Sequence, residues 1–301
     1  FNGTDVADGS DPVNPIKNTD LYDREQKRLS ILGNAYLNYE IIEGLSYRFS
    51  ASVDYTTGRN YFFRPRYTSG ERDINPVSFL DESFVSGNNI LLENTLNYSK
   101  IIGKHEFGVL VGYTRQWFEG RNFGISVRDF PSDDTRVISA GNEVQSYSGA
   151  ESDWSLASLL GRINYAYDNK YLLTANIRRD GSSRFADGNR YGIFPSFSVG
   201  WRISNEPFME NVGFIDDLKL RYGWGQLGNQ EIGLYPWQAT LTNTIRVIFG
   251  EAQSGFPAIT QRELANRNIS WESTTQSNWG LDMSMFNNMI DINLEYYLRT
   301  T

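Results

Sequence analysis

The chain has 301 residues, a formal net charge of −8, a single histidine and no cysteine. Disulfide frameworks, Cys-ligated zinc, iron–sulfur clusters, thiol catalysis and multi-histidine metal sites are excluded together. The acidic balance argues against a phosphate-backbone binder, so no nucleic-acid partner is expected.

The first residues, "FNGTDVADGSDPVNPI", offer neither the basic start nor the apolar core of a signal peptide, and the expectation is a chain cut from something longer. No apolar run of about eighteen residues follows, so no transmembrane helix is predicted. A mean hydropathy of −0.47 leaves the membrane question open. A barrel wall alternates apolar-out with polar-in and averages to a water-like value.

Period-two alternation begins at residues 33–41, where Ala35, Leu37, Tyr39 and Ile41 share one face and Asn34, Tyr36, Asn38 and Glu40 the other. Residues 45–55 repeat it: Leu45, Tyr47, Phe49, Ala51, Val53 and Tyr55 against Ser46, Arg48, Ser50, Ser52 and Asp54. A dry core would need a partner for every member of that second row, so the polar face is wet. Similar segments at 92–98, 107–117, 159–167, 171–179, 196–203, 218–224, 279–285 and 290–299 give about ten predicted strands, each near the length that crosses a bilayer when tilted. In "YLLTANIRRDGSSRF", Leu173 and Ala175 are expected to face lipid, and Thr174 and Asn176 a hydrated lumen.

The links carry a second regularity. Short ones at Glu43-Gly44, 101–104, 168–170 and Asn287-Asn288 alternate with long polar ones at 56–89, 118–153, 181–190 and 228–270; the link at 204–217 falls on the short side but is longer than the rest. A two-ended barrel with tight periplasmic turns and large extracellular loops gives this alternation, and a Greek-key sandwich does not. Aromatics gather at both strand ends. Tyr39, Tyr98, Phe107, Tyr165, Tyr167, Tyr171 and Trp201 lie near the short turns, and Tyr55, Tyr113, Trp117, Trp154, Tyr191, Tyr222, Trp224 and Trp271 near the long links, as two interfacial belts would require.

Chemistry-bearing motifs are few. His105 sits where a turn runs into a strand and is read as a turn-proximal polar side chain, not as the base of a triad. "GWGQLG", residues 223–228, matches the dinucleotide fingerprint, but no helix follows, and its glycines are read as small lumen-side residues in a curved strand. Asp133-Asp134 and Asp216-Asp217 are adjacent, so on a strand their side chains diverge. "DGSSRFADGNRYG" lacks the ligand spacing of a calcium loop. No catalytic, cofactor or metal residue is nominated, and no enzyme activity or cofactor is expected. The loops at 56–73 and 233–268 are rich enough in aromatics to bind a neutral or polar ligand, or to pack on themselves; no single residue in them is singled out.

The stretch "DNKYLLTANIRRDGSSRFADGNRYGIFPSFSVGWRISNEPFM", with "DDLKLRYGWGQLGNQEIGLYPW" after it, resembles the signature region of the SusC/RagA family of TonB-dependent outer-membrane transporters of Bacteroidetes. "LGNAYLNYEIIEGLSYRFSASVDY" and "WGLDMSMFNNMIDINLEYYLRTT" are similar to flanking strands of that family. The resemblance implies an all-β fold, an antiparallel transmembrane barrel segment, with residues 1–301 a central portion of a 22-stranded barrel domain; plug domain, TonB-contacting segment and closing strands are not recognised. It further implies a bacterial outer-membrane importer of oligosaccharides or peptides, with a SusD-type surface lipoprotein, the TonB complex and the bilayer as partners. A soluble all-β carbohydrate-binding module or glycosidase stands as the alternative.

Overall fold

The structure is a computed structural model that describes residue 19 and residues 21–69, 73–249 and 254–301. In chain order the strands are β1 (Asp23–Ile42), β2 (Leu45–Arg64), β3 (Tyr67–Ser69), β4 (Asp73–Asn75), β5 (Phe79–Ile102), β6 (His105–Arg128), β7 (Glu143–Tyr167), β8 (Tyr171–Ser182), β9 (Tyr191–Arg202), β10 (Ile215–Asn229), β11 (Thr240–Phe249), β12 (Ser254–Glu263), β13 (Glu272–Met285) and β14 (Ile290–Thr300). Ten of them form one sheet in the order β1-β2-β5-β6-β7-β8-β9-β10-β13-β14, while β3-β4 and β11-β12 are separate two-stranded hairpins. The expected all-β, sequential antiparallel meander is therefore observed, and among the described residues no helix is long and apolar enough to cross a membrane.

The turns form where residues tolerate a left-handed backbone. Gly44 (φ 79°) and Gly103 (φ 60°) close the first two short links. Asp168 and Asn169 (φ 52° and 51°) make a two-residue primed turn, closed by Lys170 N–H donating to Tyr167 C=O at 2.9 Å. At the last turn Phe286, Asn287 and Asn288 all have φ near 58°. Gly44 is also fixed by contact, because a Cβ there would lie 2.3 Å from the Ser99 carbonyl oxygen.

Contacts divide the chain into two compact units, residues 1–33, 52–90 and 118–153, and residues 34–51, 91–117 and 154–301. The first corrects the predicted links. Most of 56–89 and 118–153 is strand: β2 continues to Arg64, β5 starts at Phe79, β6 continues to Arg128 and β7 starts at Glu143. Neither face of those stretches stays apolar from end to end, so alternation fades although the backbone stays extended. This unit has its own core of Phe63, Leu80, Val127 and Phe130, with Phe63 and Phe130 edge-on at 5.6 Å. The chain after β6 is folded onto it: Asp129 N–H donates to the Ser78 carbonyl at 2.9 Å and Phe130 N–H to Ser78 Oγ at 3.1 Å. Phe62 and Phe63 of the loop predicted at 56–73 thus pack on rings from outside it, as Tyr22–Phe62 (5.7 Å) and Phe62–Phe79 (6.3 Å) also show.

The second unit holds β8 to β14 and the short-turn ends of the earlier strands. Its link 204–217 contains two 3-10 turns, Ile203–Asn205 and Pro207–Met209. The link predicted at 228–270 is interrupted by the β11-β12 hairpin, which the sequence reading missed because Thr, Asn and Arg break the apolar alternation of β11.

Candidate functional site

Register sorts the second unit into two faces. Ile163, Ala175, Phe197 and Trp224 are paired across four strands, and Tyr165, Leu173, Val199, Tyr222, Trp279 and Tyr296 across six. Leu173, Ile177, Phe197, Val199, Leu220 and Leu294 are all exposed large hydrophobics, so this face does not converge on a core. That does not favour the soluble all-β reading, which needs the apolar rows to meet.

Rings interlock along the apolar face: Phe197–Tyr222 at 6.0 Å, Tyr222–Trp279 at 5.4 Å and Trp279–Tyr296 at 5.7 Å. Near the short turns, Phe107–Tyr165 stand at 5.1 Å and His105–Tyr167 at 4.9 Å, and His105 Nδ1 is 2.8 Å from the Tyr165 hydroxyl. His105 is thus a rim side chain among rings, and among the described residues no carboxylate orients it. Tyr171 and Trp201 turn their polar tips to one acceptor. The Tyr171 hydroxyl donates to Glu206 Oε1 at 2.6 Å and Trp201 Nε1 at 3.0 Å, with Lys170 Nζ 3.6 Å from Oε2. Those two hydrogen bonds, and then the Lys170 charge, hold the Glu206 carboxyl below its usual range against the opposing effect of burial. Two aromatics grouped by sequence with the far belt serve otherwise: Trp154 lies under the Arg184 guanidinium at 5.3 Å, and Trp271 packs on Phe185 and Phe194 at 5.1 and 5.3 Å.

The opposite face is a hydrogen-bonded polar wall. Arg162 Nε donates to Asn176 Oδ1 at 2.7 Å, Asn176 Nδ2 to Ser196 Oγ at 3.2 Å, and Thr174 Oγ1 to Asn164 Oδ1 at 3.0 Å. Arg178 Nε lies 2.6 and 2.9 Å from the two oxygens of Asp180, which is 7% exposed, and its Nη2 donates to Ser158 at 3.0 Å. Lower on the face, Arg221 joins Asp282 (2.7 Å) and Glu295 (3.0 Å). Gly223 and Gly225 of "GWGQLG" belong here, opposite Ser198 and Ser196, and β10 runs straight through the motif where a nucleotide-binding turn would be needed.

Above the wall, residues 183–190 between β8 and β9 are clasped to the roots of the 230–271 segment. Arg184 Nη1 donates to the Ile232 carbonyl at 2.6 Å, Asn189 Nδ2 to the Arg267 carbonyl at 3.0 Å and Trp271 Nε1 to the Arg190 carbonyl at 3.0 Å. Asp187 is paired with Arg190 at 3.1 Å, and among the described residues no group of three His, Asp or Glu is placed to hold a metal ion. Of the adjacent acids, Asp217 accepts from Ser204 Oγ at 2.8 Å and Asp216 from Asn288 N–H at 2.9 Å, so both serve turns. The sequence reading missed Arg162 and Gln230 as members of a shared concavity, because register across β7, β8 and β10 brings them together and no local pattern marks them.

A family model described as TonB dependent receptor-like, beta-barrel, matches residues 1–301. The chain is 33% identical over 310 residues to TonB-dependent receptor P26 of Formosa agariphila, covering 100% of this chain and 30% of that protein. It is 29% identical over 312 residues to TonB-dependent receptor SusC of Bacteroides thetaiotaomicron, covering 98% and 29%. Among solved structures it matches that of the RagAB peptide transporter with a TM-score of 0.86 at 26% identity, over 95% of this chain and 31% of that one. The chain spans about three-tenths of the length of each of these relatives. With a two-faced antiparallel wall and a family match along its whole length, the chain belongs to the TonB-dependent receptor β-barrel family.

Proposed function

We propose that residues 1–301 are a portion of the barrel wall of a bacterial outer-membrane importer, whose plug and closing strands are supplied outside this chain, and that the whole protein takes up oligosaccharides or peptides with TonB coupling. The observation that carries the reading is the wall itself, exposed and apolar on one row and charged and hydrogen-bonded on the next. A membrane protein uses that contrast to separate lipid from a hydrated passage. Similarity to SusC and to the RagAB peptide transporter supports import, and a surface lipoprotein of the SusD type is the expected partner at the extracellular end. The relatives are named as receptors and transporters, which supports a role without catalysis.

The test is uptake of defined neutral and acidic oligosaccharides and short peptides by cells with and without the gene, energised or treated with a protonophore. Energy-dependent loss of uptake for one class in the deletion strain is expected. Unchanged uptake of every class, or recovery of the protein in a soluble fraction, would overturn the reading.

A further inference from the structure

The polar face of the second unit contains a cavity of about 550 Å³ that the wall's own hydrogen bonds leave open. Arg162 on β7, Asn176 and Arg178 on β8, Ser196 on β9 and Gln230 just past β10 contribute to its lining.

The direction of the hydrogen bonds decides what such a cavity can hold. Arg162 uses Nε on Asn176, and Asn176 uses its amide hydrogen on Ser196. Among the described residues that chain ends there. The Ser196 hydroxyl hydrogen and both Nη groups of Arg162 keep their donors for something else. Arg178 differs, since Asp180 neutralises it and Ser158 takes its Nη2. Arg162 has no such counter-charge: its register partner is Asn176, and the row continues through Ser196, Gly225 and Gln276. Gly225 also keeps this row shallow, because a Cβ there would lie 2.8 Å from Ser196 Cβ.

An unopposed guanidinium with a serine donor fits one carboxylate, and the fork geometry of arginine favours two parallel hydrogen bonds to it. We propose that this cavity is a subsite for a carboxylate on the imported oligomer, gripped by Arg162 and Ser196. This rests on the import reading. A uronic acid and a peptide C-terminus share the chemistry, and each is one arm of the test.

The intact transporter, purified in detergent, is titrated calorimetrically with two matched pairs of probes: trigalacturonate and its methyl ester, and a tripeptide and its C-terminal amide. In one pair the free acid should bind about ten- to hundred-fold more tightly than its capped form, the range for a charge-assisted hydrogen bond. Arg162→Gln should abolish that preference and leave the capped form's affinity unchanged, while Arg162→Lys should restore part of it. Preference in the first pair identifies the uronate source and in the second the peptide source. Equal binding of acid and capped forms in both pairs, no binding of either acid, or an equal loss of both forms in Arg162→Gln overturns the subsite. Energy-dependent uptake of a neutral probe with any of those results leaves the import reading standing, whereas no uptake of any class removes both.

Discussion

Ala175 and Thr174 are adjacent in sequence and meet different solvents. Ala175 is in register with Ile163 and Phe197 on the apolar row, whereas Thr174 Oγ1 donates to Asn164 on the polar one. Ala175→Arg in the intact protein should cost about 2 to 4 kcal/mol of barrel stability, as for arginine near a bilayer midplane. Thr174→Arg should cost much less, since its row already holds Arg178. Heat-modifiable folded barrel in liposomes across a denaturant series reads both, and a larger loss at Thr174 would reverse the faces. At the short-turn rim, Glu206 is 8% exposed and accepts from Tyr171 and Trp201. Its carboxyl is held below the ordinary glutamate value of about 4.3, so its stabilising effect is complete above that value and is lost as pH falls through the lower, folded value. Fluorescence of Trp201 in a variant lacking the other tryptophans should therefore shift with a midpoint below about pH 4.3, and Glu206→Gln should remove the transition. A midpoint above that value would show that burial outweighs the hydrogen bonds.

Strands are legible from sequence only while the two faces meet different media. From Phe107 on, the odd residues of β6 read Phe107, Val109, Val111, Tyr113, Arg115 and Trp117 in the second unit; in the first they read Glu119, Arg121, Phe123, Ile125 and Val127, and Arg121 forms an ion pair with Glu151 of β7 at 2.6 Å. Glu119 and Arg121 put adjacent charges on that row, and the edge of the hydrocarbon is expected there, while β6 continues to Arg128. This is why sequence alternation found all ten wall strands but ended several of them early. It also found the turns, because Gly44, Asp168 and Asn169 advertise the left-handed backbone they adopt. The polar cavity stayed hidden, since Arg162 lies on β7 and Gln230 just past β10, and only strand register brings them to one cavity. None of the 301 residues is cysteine, so single cysteine substitutions among them can map the boundary, read against the unsubstituted protein. Glu119→Cys should react with a membrane-impermeant maleimide on intact cells and Val109→Cys should not. Protection at residue 119 would move the bilayer edge outward and return the outer half of β6 to the membrane.

The largest consequence of the arrangement is that this wall cannot solve its own surface problem in water. In the ten-stranded sheet β1 and β14 each have one strand neighbour, so each presents a row of backbone donors and acceptors. The apolar row adds Leu37, Ile163, Ile177, Ile193, Leu294 and Leu298 among many exposed hydrophobics, far beyond the scattered apolar residues of a soluble surface. The buried hydrophobic core is small by comparison, with Phe63, Leu80, Val127 and Phe130 clustered in one unit and Phe185, Ala186 and Phe194 buried in the other. Edge pairing and apolar contact act together here, since either one brings the other within reach of a second copy. The 301-residue chain expressed by itself should therefore associate in detergent-free buffer and require detergent or lipid to remain dispersed. Light scattering with and without a mild detergent, read beside a cooperative unfolding transition, measures this directly. A monodisperse, detergent-free monomer that unfolds cooperatively would mean that the exposed row is covered by some packing within the chain, and the assignment of that row to lipid would fall with it.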